Sequence, residues 1–176
     1  MTDPFSKIHP ELQEAAKKTP KFTFNKMNIW FIDKLMSLMP SPKNFEGVNV
    51  ENVLIPRQDG RTKIRLRLYK PESVSAPIPV LIWMHGGGYL IGRPEQEDVC
   101  CVQYVRETGI TVVSIDYRLA PKHPFPAGLD DCYSTLKWAA SQAQEPGFDP
   151  GRIAVGGASA GGGLAAALVQ LARDRN

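Results

Sequence analysis

Short, almost continuously apolar runs alternate with amphipathic segments along most of the chain. The apolar runs occupy residues 79–84, 110–115 and 152–155, and such runs are typical of parallel strands covered on both faces. Segments with helical spacing of apolar side chains follow at residues 95–106, after Pro126, and at residues 160–173. Strands that alternate with helices in this way predict βαβ units and an α/β fold with right-handed crossovers.

Two further strands are predicted ahead of these units. Residues 48–55 form one candidate strand. After the Asp59-Gly60 turn, Ile64, Leu66 and Leu68 alternate with polar positions, as in a half-exposed strand. An Asp-Gly pair between two apolar stretches favours a hairpin, so we expect these strands to pair antiparallel.

The first 45 residues have a different, helical pattern. Apolar side chains recur at helical spacing in two sets. The first contains Ile8, Leu12 and either Ala15 or Ala16, and the second contains Phe24, Met27, Phe31 and Leu35. Two amphipathic helices are predicted, separated at Thr19-Pro20 and ended by Pro40 and Pro42. The apolar face is interpreted as packing surface. Its alternative is a roof over a hydrophobic pocket, because Met and Phe suit adaptable apolar ligands.

Composition narrows the class of protein. The 176 residues include 21 Lys and Arg against 18 Asp and Glu, a net charge of +3 that is too weak to argue for a nucleic-acid partner. No apolar run approaches the roughly 18–20 residues of a transmembrane helix, and the first residues lack the features of a secretory signal. We therefore expect a globular cytoplasmic protein.

The cysteines and histidines do not predict a metal site. Cys100, Cys101 and Cys132 make an odd number without metal-ligand spacing, and the three histidines lie far apart along the chain. The expected state is three reduced, mostly buried thiols, with no metal and no organic cofactor.

The strongest local motif is a G-x-S-x-G run formed by Gly157, Ala158, Ser159, Ala160 and Gly161. It lies between a predicted strand and a predicted helix. In that context a serine is held in a strained backbone conformation with its hydroxyl projecting above the sheet. The flanking glycines leave room for the turn, and the following helix directs backbone N–H groups at an anion beside the serine.

Two other interpretations of this run were weighed. One is a glycine-rich turn that only packs a helix close to a sheet. The other is a dinucleotide site, because residues 161–166 fit G-x-G-x-x-A. That fingerprint belongs in the first βα turn of its unit and precedes an acidic residue by about 20 positions, whereas ten residues follow Ala166. The nucleophile turn is favoured.

A second motif follows the strand that ends at Met84: His85, Gly86, Gly87 and Gly88. Ester hydrolysis by a serine passes through an oxyanion, which needs preorganised N–H donors. Successive glycines can present backbone N–H groups without obstruction, as in the HGGG motif of lipases and esterases. Alone, the run would equally suit a flexible hairpin tip; together with the serine turn it predicts an acyl-transfer site.

These motifs resemble those of the hormone-sensitive-lipase family of α/β-hydrolases, the bacterial family IV esterases. Three stretches carry the resemblance in the same order: residues 85–88, 116–127 and 156–162. It implies the α/β-hydrolase fold, a mostly parallel sheet with helices on both faces. Residues 46–176 would be the N-terminal part of the catalytic domain and residues 1–45 a helical cap.

The resemblance also implies roles for individual residues. Ser159 would be the nucleophile, and the oxyanion hole would comprise Gly86, Gly87, Gly88 and Ala160, with Gly86 shaping the loop. His85 would orient this loop and would not be the general base. Ala158 stands where many relatives carry Asp, a departure expected to tune activity.

The middle stretch is interpreted as structural. We expect Arg118 to pair with Asp130 or Asp131, and His123 to be exposed and without a catalytic role.

The remaining triad members are not found after Ser159. In α/β-hydrolases the acid and then the histidine follow the serine; 17 residues follow Ser159, and none is histidine. Asp174 lies on the helix that follows Ser159 and cannot be the acid. Both groups are expected in a C-terminal half of the same protein, without which the strand at residues 152–155 would form an exposed edge and the chain would be inactive.

The resemblance implies a serine carboxylesterase that hydrolyses short- to medium-chain acyl esters through an acyl-enzyme. The expected partners are a small-molecule ester and the C-terminal half, and homo-oligomerisation is left open. A non-catalytic ligand-binding member of the same fold and an inactive fragment are the alternatives.

Overall fold

The computed structural model describes residues 5–18, 26–38 and 45–175. The strands are β1 (Val48–Pro56), β2 (Lys63–Pro71), β3 (Val80–Met84), β4 (Thr111–Ile115) and β5 (Ile153–Gly157). The helices are α1 (Pro10–Lys18), α2 (Lys26–Leu38), α3 (Asp98–Thr108), α4 (Ala127–Ser141) and α5 (Ala160–Asp174). A 3₁₀ turn, Pro94–Glu97, leads directly into α3.

The strands form one sheet in the order β1-β2-β4-β3-β5. The strand β1 pairs antiparallel with β2, and β2 pairs antiparallel with β4. The strands β4, β3 and β5 run parallel to one another. The predicted antiparallel pair and the predicted parallel βαβ units are therefore both confirmed.

The sheet is covered by helices on both faces, as predicted. The alternation along β3 shows how: Ile82 and Met84 join the core cluster that includes α4 and α5, whereas Leu81 and Trp83 pack on the cluster that includes α3. All of β4 is buried, because it lies between two strands and beneath helices on either side.

The strand predicted at residues 152–155 is present as β5, and it forms the exposed edge expected of this chain taken without a C-terminal half. Among the described residues β5 pairs only with β3, so it lies at an edge of the sheet. Ala154 is exposed, and Ile153 and Val155 are half-buried. Helix α5 packs on the face that carries Ile153 and Val155 and leaves the other face of this strand uncovered.

The N-terminal segment is helical where it is described, which confirms that part of the prediction. Phe24, the Thr19-Pro20 break and the prolines at 40 and 42 lie outside the described residues. The apolar positions of α2 do not pack as expected: Met27, Phe31 and Leu35 are all more than half exposed. In the described ranges, no helix combines the length and the apolar character needed to cross a membrane.

A buried ion pair ties the start of α3 to β2. Arg67 Nε lies 2.8 Å from Asp98 Oδ1, and the hydroxyl of Tyr69 donates to the same oxygen at 2.7 Å. Asp98 is 2% exposed. Burial raises the pKa of Tyr69 well above its ordinary value, so the phenol keeps the proton that it donates.

We predict that Asp98→Ala lowers the free energy of unfolding by about 3–5 kcal/mol, because it leaves the Arg67 guanidinium buried without its carboxylate. Urea unfolding followed by circular dichroism measures the change. Glu107 is exposed and bonded only locally to Gln103, so Glu107→Ala is the control, expected within about 0.5 kcal/mol of the parent. Equal unfolding midpoints for the two variants would contradict the prediction.

Candidate active site

Ser159 occupies a sharp turn between β5 and α5. Its backbone has φ 48° and ψ −113°, a left-handed conformation that costs a non-glycine residue on the order of 1–3 kcal/mol. Ser159 is exposed, whereas Ala160, the first residue of α5, is buried. The strained, projecting serine that the G-x-S-x-G run predicts is therefore present.

The glycines on either side of Ser159 are required by the close approach of this turn to the end of β3. A Cβ at Gly161 would overlap the Met84 carbonyl, and a Cβ at Gly157 would overlap the Gly161 backbone. The Ala158 N–H donates to the Met84 carbonyl at 3.1 Å. The turn therefore contacts Met84, the last residue of β3, directly. No volume remains for a side chain at Gly157 or at Gly161.

The glycine loop leaves β3 beside this turn. A Cβ placed at Gly86 would lie 3.3 Å from the Ala158 carbonyl oxygen and 3.7 Å from Ser159 Cβ. Gly87, Gly88 and Tyr89 then have φ values of 122°, 62° and 64°, so the backbone keeps a left-handed course through three residues. The structure therefore brings the two motifs together at one corner of the sheet.

His85 lies beneath the glycine loop. The ring is fully buried and stacks on Tyr117 with a centroid distance of 4.2 Å, and its Nδ1 lies 2.7 Å from the Gly86 carbonyl oxygen. Burial lowers the pKa of His85 below its ordinary value, so the imidazole is neutral at pH 7. Because a carbonyl oxygen only accepts, the Nδ1 atom carries the proton in this contact.

Gly92 is a residue of this site that the sequence analysis missed. It has φ 118°, and a Cβ there would overlap His85 Nδ1 and lie against the Gly86 carbonyl oxygen. The sequence feature that could have indicated this role is a single glycine directly after the apolar pair Leu90 and Ile91. Its role depends on a backbone approach that sequence spacing does not encode.

The connector after β4 is anchored by Asp131 rather than Asp130. Arg118 Nη2 lies 2.9 Å from Asp131 Oδ1, and Arg57 Nε lies 2.9 Å from the same oxygen. His123 is half-buried rather than exposed as expected, because it lies in the walls of the two cavities beside the connector. Its backbone N–H donates to the Leu119 carbonyl at 2.9 Å. The structural interpretation of this stretch agrees with these contacts.

A mostly apolar cavity of about 370 Å³ lies between Tyr89, the connector and α5. Its walls include Phe125, Leu129, Leu164 and Ala167. The Tyr89 ring reaches α5 at Gly163, four residues beyond Ser159, where a Cβ would lie 2.5 Å from its hydroxyl. Ser159 is not in the lining; the cavity meets α5 at Gly163, one helical turn beyond the serine.

A wider groove of about 740 Å³ lies on the other side of the connector. It is bounded by residues 116–123 and by Ile29 and Trp30 of α2. Helix α2 therefore covers this groove and does not line the smaller cavity beside Tyr89.

No general base accompanies Ser159 within the described ranges. There, no hydrogen bond joins the Ser159 hydroxyl to a histidine, and His9 lies exposed ahead of α1. The same residues contain no cluster of three or more His, Cys, Asp or Glu side chains that could hold a metal ion. All three cysteines are free thiols, and burial raises the pKa of Cys101 and of Cys132.

Comparison with known proteins identifies relatives for this arrangement. A family profile of the α/β-hydrolase fold matches residues 81–176. The chain is 41% identical over 141 residues to the carboxylesterase NlhH of Mycobacterium tuberculosis strain H37Rv, which covers 80% of this chain and 44% of that protein. It is 36% identical over 129 residues to the ethyl acetate hydrolase of Pseudomonas putida, covering 72% of this chain and 40% of that protein.

Among solved structures, a bacterial heroin esterase superposes with a TM-score of 0.82 at 42% identity, covering 95% of this chain and 53% of that one. The chain thus spans about half the length of the relatives it matches.

We predict that Gly161→Ala destabilises the fold by about 3 kcal/mol or more, because the new methyl group meets the Met84 backbone and not a side chain that can move. Gly162→Ala is the matched control on the same helix: a Cβ there lies 3.2 Å from the Gly157 carbonyl oxygen, a tight contact but not an overlap, and alanine favours the helix by up to about 1 kcal/mol, which offsets its cost. Thermal unfolding compares the two. If the two variants unfolded at the same temperature, the close contact between the serine turn and the end of β3 would be contradicted.

We predict that neutral His85 makes stability depend on pH. Because its folded-state pKa is depressed, the stabilisation is fully present above the unfolded pKa of about 6.5 and is lost as the pH falls towards the folded value. His85→Asn keeps a donor for the Gly86 carbonyl and does not titrate. Urea midpoints at about pH 7.5 and about pH 5.5 should therefore fall further for the parent than for this variant. Parallel losses would exclude His85 as the cause.

Proposed function

Since the chain belongs to the α/β-hydrolase-fold family, we propose that it is the N-terminal half of a serine carboxylesterase whose nucleophile is Ser159. The observation that carries this proposal is the strained conformation of Ser159 at φ 48°, held directly beside the glycine loop. The similarity to carboxylesterases at 41% identity supports the reaction class.

The proposed reaction follows from the placement of these groups. The Ser159 hydroxyl attacks the ester carbonyl carbon while a general base takes its proton. The resulting oxyanion accepts hydrogen bonds from the backbone N–H groups of Gly87, Gly88 and Ala160, and the N-terminus of α5 adds its positive end. Collapse breaks the bond to the alcohol oxygen, which receives the proton from the base. Water then hydrolyses the acyl-enzyme by the same steps.

The general base and its acid partner are proposed to come from a C-terminal half of the same protein. His85 is buried beneath the glycine loop, and His123 lies in the connector, so neither is offered as the base. The chain covers 53% of the heroin esterase to which it is similar, which supports a further segment of comparable length. The open side of β5 is the surface on which we expect that segment to pair.

The proposed substrates are short- to medium-chain acyl esters. The apolar cavity of about 370 Å³ beside Tyr89 is large enough for a small acyl or alcohol group and lies at the low end of the range for ligand pockets. Residues 1–45 are proposed as the cap of this site, since α2 already borders the neighbouring groove. The buried thiols support a reducing, cytoplasmic location.

We predict that Ser159→Ala lowers kcat for p-nitrophenyl butyrate by about 10⁴-fold or more in the protein that includes the C-terminal half, because no other group replaces the nucleophile. Labelling by a fluorophosphonate, located by peptide mass spectrometry, should fall on Ser159. Ser141→Ala, at the exposed end of α4, serves as the control and should keep full activity. Hydrolysis that survives in Ser159→Ala would overturn the assignment.

A further inference from the structure

The peptide unit that joins Gly86 to Gly87 contains one of the proposed oxyanion donors. It carries the Gly86 carbonyl on one side and the Gly87 N–H on the other. The peptide is trans, so these two groups point in opposite directions. Whatever holds the Gly86 carbonyl therefore decides where the Gly87 N–H points.

Two side chains hold that carbonyl. His85 Nδ1 lies 2.7 Å from the oxygen, and Gln96 Nε2 donates to it at 3.3 Å. Both lie on the side of the loop that carries Gly92 and the 3₁₀ turn. The Gly87 N–H is thereby directed away from Gln96, and a Cβ placed on Gly86 would lie 3.7 Å from Ser159 Cβ.

The other end of Gly86 is held by the next residue of the same turn. The Gly86 N–H donates to Glu97 Oε1 at 3.4 Å. The Glu97 carboxylate also accepts from the indole N–H of Trp83 at 3.2 Å and from Gln96 Nε2 at 3.1 Å. Gln96 is fixed in turn by accepting the Arg93 N–H at 3.4 Å. One turn of 3₁₀ helix thus binds both polar groups of a buried glycine.

We propose that Gln96 and Glu97 are positioning residues of the oxyanion hole, which set the orientation of the peptide between Gly86 and Gly87. This inference rests on the proposed esterase function. Neither side chain touches the reacting atoms; they act through Gly86.

The physical reason for needing them is that glycine offers little resistance to peptide rotation. Gly87 has φ 122°, in a region open to glycine, so the loop has alternative conformations of similar energy. A buried N–H or carbonyl without a partner costs about 1–3 kcal/mol. Loss of Glu97 leaves the Gly86 N–H without this partner, and loss of the Gln96 amide leaves the Gly86 carbonyl on His85 alone. Either change weakens the hold on Gly86 and favours rotation of the peptide, which turns its carbonyl, rather than its N–H, towards the oxyanion.

The test compares Gln96→Met and Glu97→Ala with the parent, all including the proposed C-terminal half. Gln96→Met keeps the length of the exposed side chain and removes the donor to Gly86 without placing a second carboxylate beside Glu97, to which Gln96 Nε2 donates at 3.1 Å. We expect kcat for p-nitrophenyl butyrate to fall about tenfold or more in each, below the roughly 10²–10³-fold loss of a whole oxyanion donor. KM should change less than about twofold, since ground-state binding does not use the hole.

A trifluoromethyl ketone, which forms a tetrahedral adduct on the serine, should bind more weakly by the same factor as kcat falls. Glu95→Gln is the matched control. Glu95 lies on the same turn, but its partner is Arg65, at 3.1 Å from Nη2, so this variant can lose stability while kcat stays within about twofold of the parent. A loss of kcat in Glu95→Gln equal to that in Glu97→Ala would reduce both residues to structural roles and overturn the proposal.

Amide hydrogen exchange of Gly86 and Gly87, measured by NMR, provides a result independent of activity. Faster exchange in Glu97→Ala than in Glu95→Gln supports the positioning role, and unchanged exchange together with unchanged kcat overturns it. If the parent neither hydrolyses the ester nor reacts with the fluorophosphonate, the proposed function fails, and the exchange comparison alone decides whether Glu97 orders the loop.

Discussion

The contact between the serine turn and the last residue of β3 is the constraint on which the site depends. Parallel pairing of β3 with β5 sets Met84 opposite Gly157, so the loop that follows β3 and the turn that follows β5 leave the sheet side by side. Gly157 and Gly161 allow the turn to close onto the Met84 carbonyl without side-chain overlap. Neither motif could perform the proposed reaction alone, because the proposed nucleophile Ser159 and the proposed donors Gly87 and Gly88 come from different βαβ units and meet only through this register.

A second set of contacts connects the buried core to the glycine loop that follows β3. The buried pair of Arg67 and Asp98 fixes the first residue of α3, and the preceding turn presents Gln96 and Glu97 to Gly86. Glycines give the loop its tight course, but they also make it deformable. We infer that the polar side chains of Gln96 and Glu97 limit that freedom by binding the carbonyl and the N–H of the buried Gly86.

The sequence predicted the alternation of strands and helices, the antiparallel pair and the meeting of the two glycine motifs, because each is encoded by local periodicity or by residues adjacent in the chain. The sequence also predicted an apolar strand at residues 152–155 that forms an exposed edge in this chain, as β5 does. Gly92, Gln96 and Glu97 were not predicted. Their importance arises from contacts to Gly86 that form only once α3 has packed on the sheet, and nothing in their spacing marks them.

The backbone conformation of Ser159 bears on the three interpretations of the G-x-S-x-G run: a nucleophile turn, a turn that only packs a helix on the sheet, and a dinucleotide site. In a dinucleotide site the fingerprint glycines form the turn before the helix, whereas residues 161–166 here lie inside α5. A turn that only packs a helix against a sheet gains nothing from a serine at φ 48°, since glycine would adopt the same conformation without strain. A ligand-binding member of the fold would likewise have no use for a strained, exposed hydroxyl beside a row of backbone donors. Strain of about 1–3 kcal/mol persists only where the surrounding structure over-determines it, and such strain clusters at active sites. The strained Ser159 therefore supports the proposed attack on an ester carbonyl over the other interpretations of the glycine run.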